Sequence, residues 1–351
     1  MNRKSVFWIG HLALLSLVSI GMTPVEAAAT GRARTAKSAT TKPRAVYSAA
    51  RAQSRKTKLA RARAVAMARE MAETVLPRYK VDASGDLVPD VRADAAIIYD
   101  PVTNQILWEE NGLSPHSIAS ITKVMTATVF LENNPDLTQL VTVERSDVFQ
   151  ASTTHLQRND KMSAGDLLHL VLIASDNAAA RALARVSPHG SDGFVRRMND
   201  KAAELGLEST HYADPSGLLS ENVSSAYDMA RLITHASQDE RISSIMRTTE
   251  YTVFSGKRPI SFRSTNHLLR RGDVDVRAGK TGFITKAGYC LATVLRLPQT
   301  GQDVAVVVFG ARSNAGRFME SRNLMNWVSS KASTLFAAKP PVVPVSQQQQ
   351  Q

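Results

Sequence analysis

Beyond residue 90 the apolar positions of this chain fall into short alternating or continuous runs, and these runs predict its elements. Ala95-Ala-Ile-Ile-Tyr99 and Gln105-Ile-Leu-Trp-Glu109 read as strands. The intervening Asp100-Pro-Val-Thr-Asn104 has turn chemistry, so a β-hairpin is expected. Ser117 to Leu131 is expected as a helix, with Ile121, Val124, Met125 and Ala127 to Phe130 as its apolar body. Ser163 to Val186 is expected as one helical stretch that opens on a capping motif, Ser163 followed three residues later by Asp166. Phe194 to Leu205 and Ala226 to Ala236 are further helices. The pattern then changes to strands: Tyr251 to Phe254, Pro259 to Phe262, Val274 to Ala278, and Tyr289 to Leu297 joined to Asp303–Phe309 by the turn Pro298-Gln-Thr-Gly-Gln302. Arg317 to Leu335 closes as a helix carrying Phe318, Leu324, Met325, Trp327 and Val328. A hairpin, then helices, then strands and a last helix predict an α+β domain whose antiparallel sheet is built from both chain ends.

The ends of the 351-residue chain are of a different kind. Asn2-Arg3-Lys4 is a basic start, Val6 to Met22 is a short apolar run, and small residues follow around Val25-Glu26-Ala27. That is the layout of a secretory signal peptide over residues 1–28, and it implies export to the periplasm. Residues 29–90 are expected as a basic arm, disordered at first and helical from Arg55 to Val75, where Gly and Pro are absent. Charge sharpens this division. The net +12 lies in residues 30–80, which hold 14 Lys and Arg against Glu70 and Glu73, whereas residues 81–351 carry 27 basic and 28 acidic side chains. The arm is therefore either a solvated linker or an attachment to an anionic membrane or wall surface. Nucleic acid is not expected as its partner, because only Tyr47 interleaves the charges of residues 30–54. The folded domain is placed at 91–336. Residues 337–351, with Lys-Pro-Pro-Val-Val-Pro-Val-Ser and five glutamines, form a low-complexity tail.

Cys290 is the only cysteine, so no internal disulfide forms and the core must hold the fold. It lies in a strand-like run and reads as a small buried residue. The eight histidines show no His-x-x-x-His spacing, so neither a metal nor another cofactor is expected. His116, four residues before Ser120, reads as a surface histidine.

The chemistry concentrates in three strings, Ser120-Ile-Thr-Lys123, Ser175-Asp176-Asn177 and Lys280-Thr281-Gly282. Taken singly, Ser120 is a helix-cap serine, Asp176-Asn177 a loop and Lys280 a surface charge. Together, in this order and over one domain's length, they are a specific signal, and Lys123 is the only lysine with a serine three positions before it. A hydroxyl and an amine three residues apart on a helix share one face, which suits a serine nucleophile whose proton passes to a lysine. The lysine must be neutral, so its pKa has to fall by about three units through burial and neighbouring cations, Lys280 among them. Ser175 offers a hydroxyl for proton transfer and Asn177 an amide for substrate. Thr281 offers a second hydroxyl, and Gly282 allows close approach of a substrate backbone. The backbone N–H groups of Ser120 and Phe283 are the candidates for an oxyanion hole.

With these residues placed, the chain from about Ala95 to Val328 resembles the low-molecular-mass penicillin-binding proteins, the D-alanyl-D-alanine carboxypeptidase and endopeptidase family. Ser117-Ile-Ala-Ser-Ile-Thr-Lys-Val-Met-Thr-Ala127 looks like the family's nucleophile helix, and Asp214-Pro-Ser-Gly-Leu218 and Thr265-Asn-His-Leu-Leu269 look like its linking segments. Gly279 to Cys290 looks like the Lys-Thr-Gly strand and its continuation. The Asn-His-Leu segment and the missing C-terminal β domain look most like the endopeptidase branch. The tail also lacks an amphipathic anchoring helix, so stable membrane attachment is not expected. The resemblance implies an antiparallel sheet flanked by helices with a mainly helical subregion. It implies acylation of Ser120 by the penultimate D-alanine of a peptidoglycan peptide, with Lys123 as base and Ser175 and Asn177 completing the relay and grip. Lys280 and Thr281 would hold the substrate carboxylate, and β-lactams would acylate Ser120.

Two other functions compete. A class A β-lactamase carries the same three strings but needs a general base for deacylation, commonly in a Glu-x-x-Leu-Asn string, and Glu208-Ser-Thr-His-Tyr212 lacks that pattern. A non-catalytic wall-binding protein would rely on the basic arm and would keep its function without Ser120.

Overall fold

The computed structural model describes residues 56–65, 68 and 77–336. The expected signal peptide and the low-complexity tail lie outside the described residues, as does most of the basic arm, of which residues 56–65 are helical and exposed. Along the chain, β1 (Tyr79–Val81) and β2 (Leu87–Pro89) form a hairpin, and so do β3 (Ala95–Asp100) and β4 (Gln105–Glu110). The short β5 (His116–Ser117) leads into a 3-10 turn (Ala119–Ile121) and α1 (Thr122–Leu131). β6 (Leu140–Thr142) pairs with β7 (Lys161–Ser163), after which come α2 (Ala164–His169), a π-helical turn (Leu170–Ala174), α3 (Asn177–Val186) and α4 (Gly190–Glu204). β8 (Val223–Ser224) pairs with β5 and precedes α5 (Ala226–Ser237) and α6 (Glu240–Arg247). The ribbon β9 (Glu250–Ser255) and β10 (Arg258–Arg263) follows, then β11 (Asp275–Ile284), β12 (Gly288–Arg296), β13 (Asp303–Ala311) and α7 (Asn314–Ser330).

Five strands make one antiparallel sheet in the order β11–β12–β13–β3–β4. As expected, its strands come from both ends of the chain. Successive side chains of a strand point to opposite faces, and here both faces are covered. Ile97, Tyr99, Ala292, Ala305, Val307 and Phe309 belong to the core shared with α1, α3 and α5, whereas Ile98, Leu291, Leu295, Val304, Val306 and Val308 pack with Phe318, Leu324 and Val328 of α7. The central strands are therefore apolar on both sides, which explains their continuous hydrophobic runs. β11 lies at one edge, so the strand carrying Lys280-Thr281-Gly282 has one side unpaired.

Three expectations need correction. The arm placed at 29–90 overlaps β1 and β2, and that hairpin belongs to the fold: Trp327 Nε1 donates to Leu87 O at 3.0 Å. No local apolar run announces this attachment, because it joins a backbone carbonyl to a side chain on the closing helix. The helix expected from Ser117 begins later, since Ser117 pairs in β5 and Ala119 takes the left-handed conformation (φ 48°). The single helix expected over 163–186 is broken at the Ser-Asp-Asn string. Its capping motif is present, with Ser163 Oγ accepting from Asp166 N at 3.0 Å.

Candidate active site

The break in that helix follows from Asp176. Its fully buried carboxylate caps α3 through Ala179 N (3.0 Å) and also accepts from Thr154 Oγ1 (2.9 Å) and His155 N (2.6 Å). An aspartate that finds these donors competes with continued helix. Ser175 just before it is forced into the left-handed region (φ 61°), a conformation that costs a non-glycine residue about 1 kcal/mol and is kept where the surroundings impose it. The result turns Ser175 and Asn177 toward a cleft of about 510 Å³ that Ser120, Thr281, Gly282 and Phe283 also line.

Ser120 sits at the mouth of α1, one turn before Lys123. Lys123 Nζ is 2.9 Å from Ser120 Oγ, 2.6 Å from Asn177 Oδ1 and 2.5 Å from Ser216 O. A neutral amine has two N–H donors and one lone pair. The donors go to the amide and carbonyl oxygens, which only accept, and the lone pair is left for the Ser120 hydroxyl proton. Lys123 is fully buried, and that desolvation, opposed by Asp214 and Asp176 and aided by Arg181, lowers its pKa to about 7. The Ser216 carbonyl is held in place by Asp214, whose carboxylate accepts from Ser216 N (2.6 Å), Gly217 N (2.8 Å), Leu219 N (2.8 Å) and Asn222 Nδ2 (2.8 Å). Gly217 has to be glycine: its φ is 76°, and a Cβ there would lie 2.0 Å from Ala119 O.

The Lys-Thr-Gly strand meets the same turn from the other side. Lys280 Nζ donates to Ser175 Oγ (2.8 Å) and to Thr281 O (2.9 Å). Burial first, then the charges of Lys123 and Arg317, push its pKa well below the ordinary lysine value. Lys280 is 1% exposed and is not among the residues lining the cleft. Its contacts in this structure are with Ser175 Oγ and Thr281 O, so it stands behind the Ser175 hydroxyl. Gly282 also has a second use, in packing against the nucleophile turn. A Cβ there would stand 2.7 Å from Ile118 O and 3.2 Å from Ser120 N, so the nucleophile turn itself fills that space. This contact sets Ser120 N beside Gly282, the residue next to Phe283, and Ser120 and Phe283 are the two backbone positions expected to serve an oxyanion. Substituting Gly282→Ala should shift the Ser120 turn by a few tenths of an ångström or more and slow acylation of Ser120 by about 10- to 100-fold. Unchanged acylation kinetics would show the turn to be compliant.

Asn177 spends Oδ1 on Lys123 and one Nδ2 hydrogen on Ala151 O (2.7 Å), so it braces the lysine as well as facing the cleft. Cys290 is fully buried, with burial pushing its thiol up to about 12, as expected of a packing residue. His116 stacks on Phe309 and lies outside the cleft lining.

Among the lining residues that sequence reasoning missed, two bear on the chemistry. Arg317, at the start of α7, donates from Nη1 to Gly282 O (2.9 Å) and Cys290 O (3.1 Å) and from Nη2 to Asn314 Oδ1; its buried Nε finds no partner among the described residues. Its only signal in the sequence was a cation at the start of the closing helix. The other, Thr265, looked like part of a linking segment. No Asp or Glu lines the cleft, while the Arg317 guanidinium does. Such a site favours a ligand with an anionic group.

The sequence profile described as D-alanyl-D-alanine carboxypeptidase matches residues 82–313. The D-alanyl-D-alanine endopeptidase of Haemophilus influenzae is 34% identical to this chain over 64% of it and 78% of the relative, and that of Escherichia coli is 33% identical over 69% and 79%. Among solved structures, the Streptomyces K15 DD-transpeptidase superposes with a TM-score of 0.63 at 26% identity, covering 68% of this chain and 97% of that one.

Proposed function

Because the chain belongs to the D-alanyl-D-alanine carboxypeptidase family and is a serine D,D-peptidase of the penicillin-binding fold, we propose that it cleaves peptidoglycan crosslinks as an endopeptidase through an acyl-enzyme on Ser120. The observation that carries the reading is the contact between the buried Lys123 amine and the Ser120 hydroxyl, 2.9 Å apart, with the amine near neutrality. Ser120 Oγ attacks the carbonyl carbon of the D-alanine at the crosslink as its proton passes to Lys123. The oxyanion is received by the N–H groups of Ser120 and Phe283. As the C–N bond breaks, the leaving amine takes a proton delivered through Ser175, whose hydroxyl Lys280 orients. Water then hydrolyses the ester and returns the proton to Ser120. Asn177 has one amide hydrogen left for the acyl chain, and Thr281 with Arg317 receives the carboxylate on the leaving-group side. By the same chemistry β-lactams acylate Ser120.

Identity of 33–34% to three relatives named as endopeptidases, against 29–31% to those named as carboxypeptidases, favours crosslink cleavage. The basic start and short apolar run of residues 2–22 support export to the periplasm, with the peptidase domain following the arm. The charge of residues 30–80 supports attachment of that arm to an anionic membrane or wall surface. One experiment tests the activity and the compartment together. Protein recovered from the periplasm, with its N-terminus sequenced near residue 28, is incubated with crosslinked dimers and uncrosslinked pentapeptides. Dimers should disappear first; release of free D-alanine with dimers intact would make the enzyme a carboxypeptidase. Neither the β-lactamase nor the purely binding alternative receives support from the comparisons.

A further inference from the structure

Two hydroxyls meet at the edge of the cleft where Arg317 also stands. Thr281 Oγ1 donates to Thr265 Oγ1 at 2.6 Å, and both residues line the cleft. Thr265 is held from two sides. Its N–H donates to Ile173 O (3.2 Å), in the π-helical turn that ends at Ser175. The neighbouring Asn266 packs under β11, its Nδ2 standing 2.5 Å from where a Cβ of Gly279 would be. Thr265 thus spans the two elements that carry Ser175 and Lys280-Thr281.

In this arrangement the Thr281 hydroxyl hydrogen is committed to Thr265. For Thr281 to donate to a carboxylate, its hydroxyl has to rotate away. A hydroxyl both donates and accepts, so with a small turn of its side chain Thr265 can donate to Thr281 Oγ1 and the pair reverses direction. The reversed chain leaves Thr281 a polarised donor aimed at the ligand. We propose that Thr265 is a positioning residue that sets the affinity of the cleft for a carboxylate on the leaving-group side, acting through Thr281. This rests on the peptidase reading above.

The test compares acylation of the full-length protein by benzylpenicillin and by its methyl ester, in which that carboxylate is masked. Thr265→Val keeps the shape of the side chain and removes the hydroxyl. It should lower the ratio of the acid's second-order acylation rate constant to the ester's about fivefold, the worth of one neutral hydrogen bond. Thr265→Ser should restore the ratio. An unchanged ratio in the valine variant overturns the proposal, whether both rates fall together, as for a merely structural residue, or neither falls. A serine variant as impaired as the valine variant overturns it as well. Were wild-type protein acylated by neither probe, the peptidase reading would fall, and this proposal with it.

Discussion

Alanine at position 120 should abolish covalent labelling by a tagged penicillin and reduce muropeptide hydrolysis by at least about 10⁴-fold, the scale seen when a catalytic hydroxyl is removed. The oxyanion donors and the substrate contacts would remain, but nothing would be left to form the ester. The fold should be largely indifferent to the change, because the recorded hydrogen bond of Ser120 Oγ is to Lys123. Thermal unfolding measured alongside separates loss of chemistry from loss of structure. A wall-binding protein working through its basic arm would keep its function in this variant. Retained hydrolysis, or a labelled adduct on another residue, would sink the assignment of the nucleophile.

The second large effect is expected at Lys123. Lys123→Met keeps a long buried side chain and removes the base, and acylation should fall by about 10²- to 10⁴-fold. The wild-type enzyme should reveal the same group through pH. Burial outweighs the attraction of Asp214 and Asp176, so the amine loses its proton near pH 7 rather than near 10.5. That displacement corresponds to about 5 kcal/mol against charging the amine in place. Only the neutral form accepts the Ser120 proton, so the acylation rate constant should rise with pH through about 7 and level off above it. The methionine variant should lose this inflection together with its rate. A wild-type profile that rises only near pH 10 would mean that Lys123 behaves as an ordinary solvated amine and that another group takes the proton.

Much of the fold was legible because the relevant forces are local. The β3–β4 hairpin showed in apolar runs around an Asp-Pro and Asn turn, and β12 and β13 showed as continuous apolar strands because the sheet is covered on both faces. The break at Ser175 was less legible. Residues 163–186 keep helical periodicity across it, and what stops the helix is a set of donors from Thr154 and His155, more than twenty residues earlier, converging on Asp176. β1 and β2 were hidden for a similar reason: their anchor, Trp327, is a partner some 240 residues away.

At the site, the sequence by itself determined which groups could react: a hydroxyl and an amine one helical turn apart, a second hydroxyl beside an amide, and a cation next to a threonine. Spacing within a helix turn is fixed by the backbone, so that much needs no further information. Only the tertiary structure decided which of these groups touch the cleft and which stand behind it. Lys280 was moved behind Ser175, Gly282 was filled by the Ile118–Ser120 turn, and Arg317 and Thr265 were brought in from distant segments. The physical reason is that the proton affinity of an amine and the donor direction of a hydroxyl depend on burial and on partners. Those are supplied by chain segments far apart in sequence, and they exist only once the sheet and the helices have closed on one another.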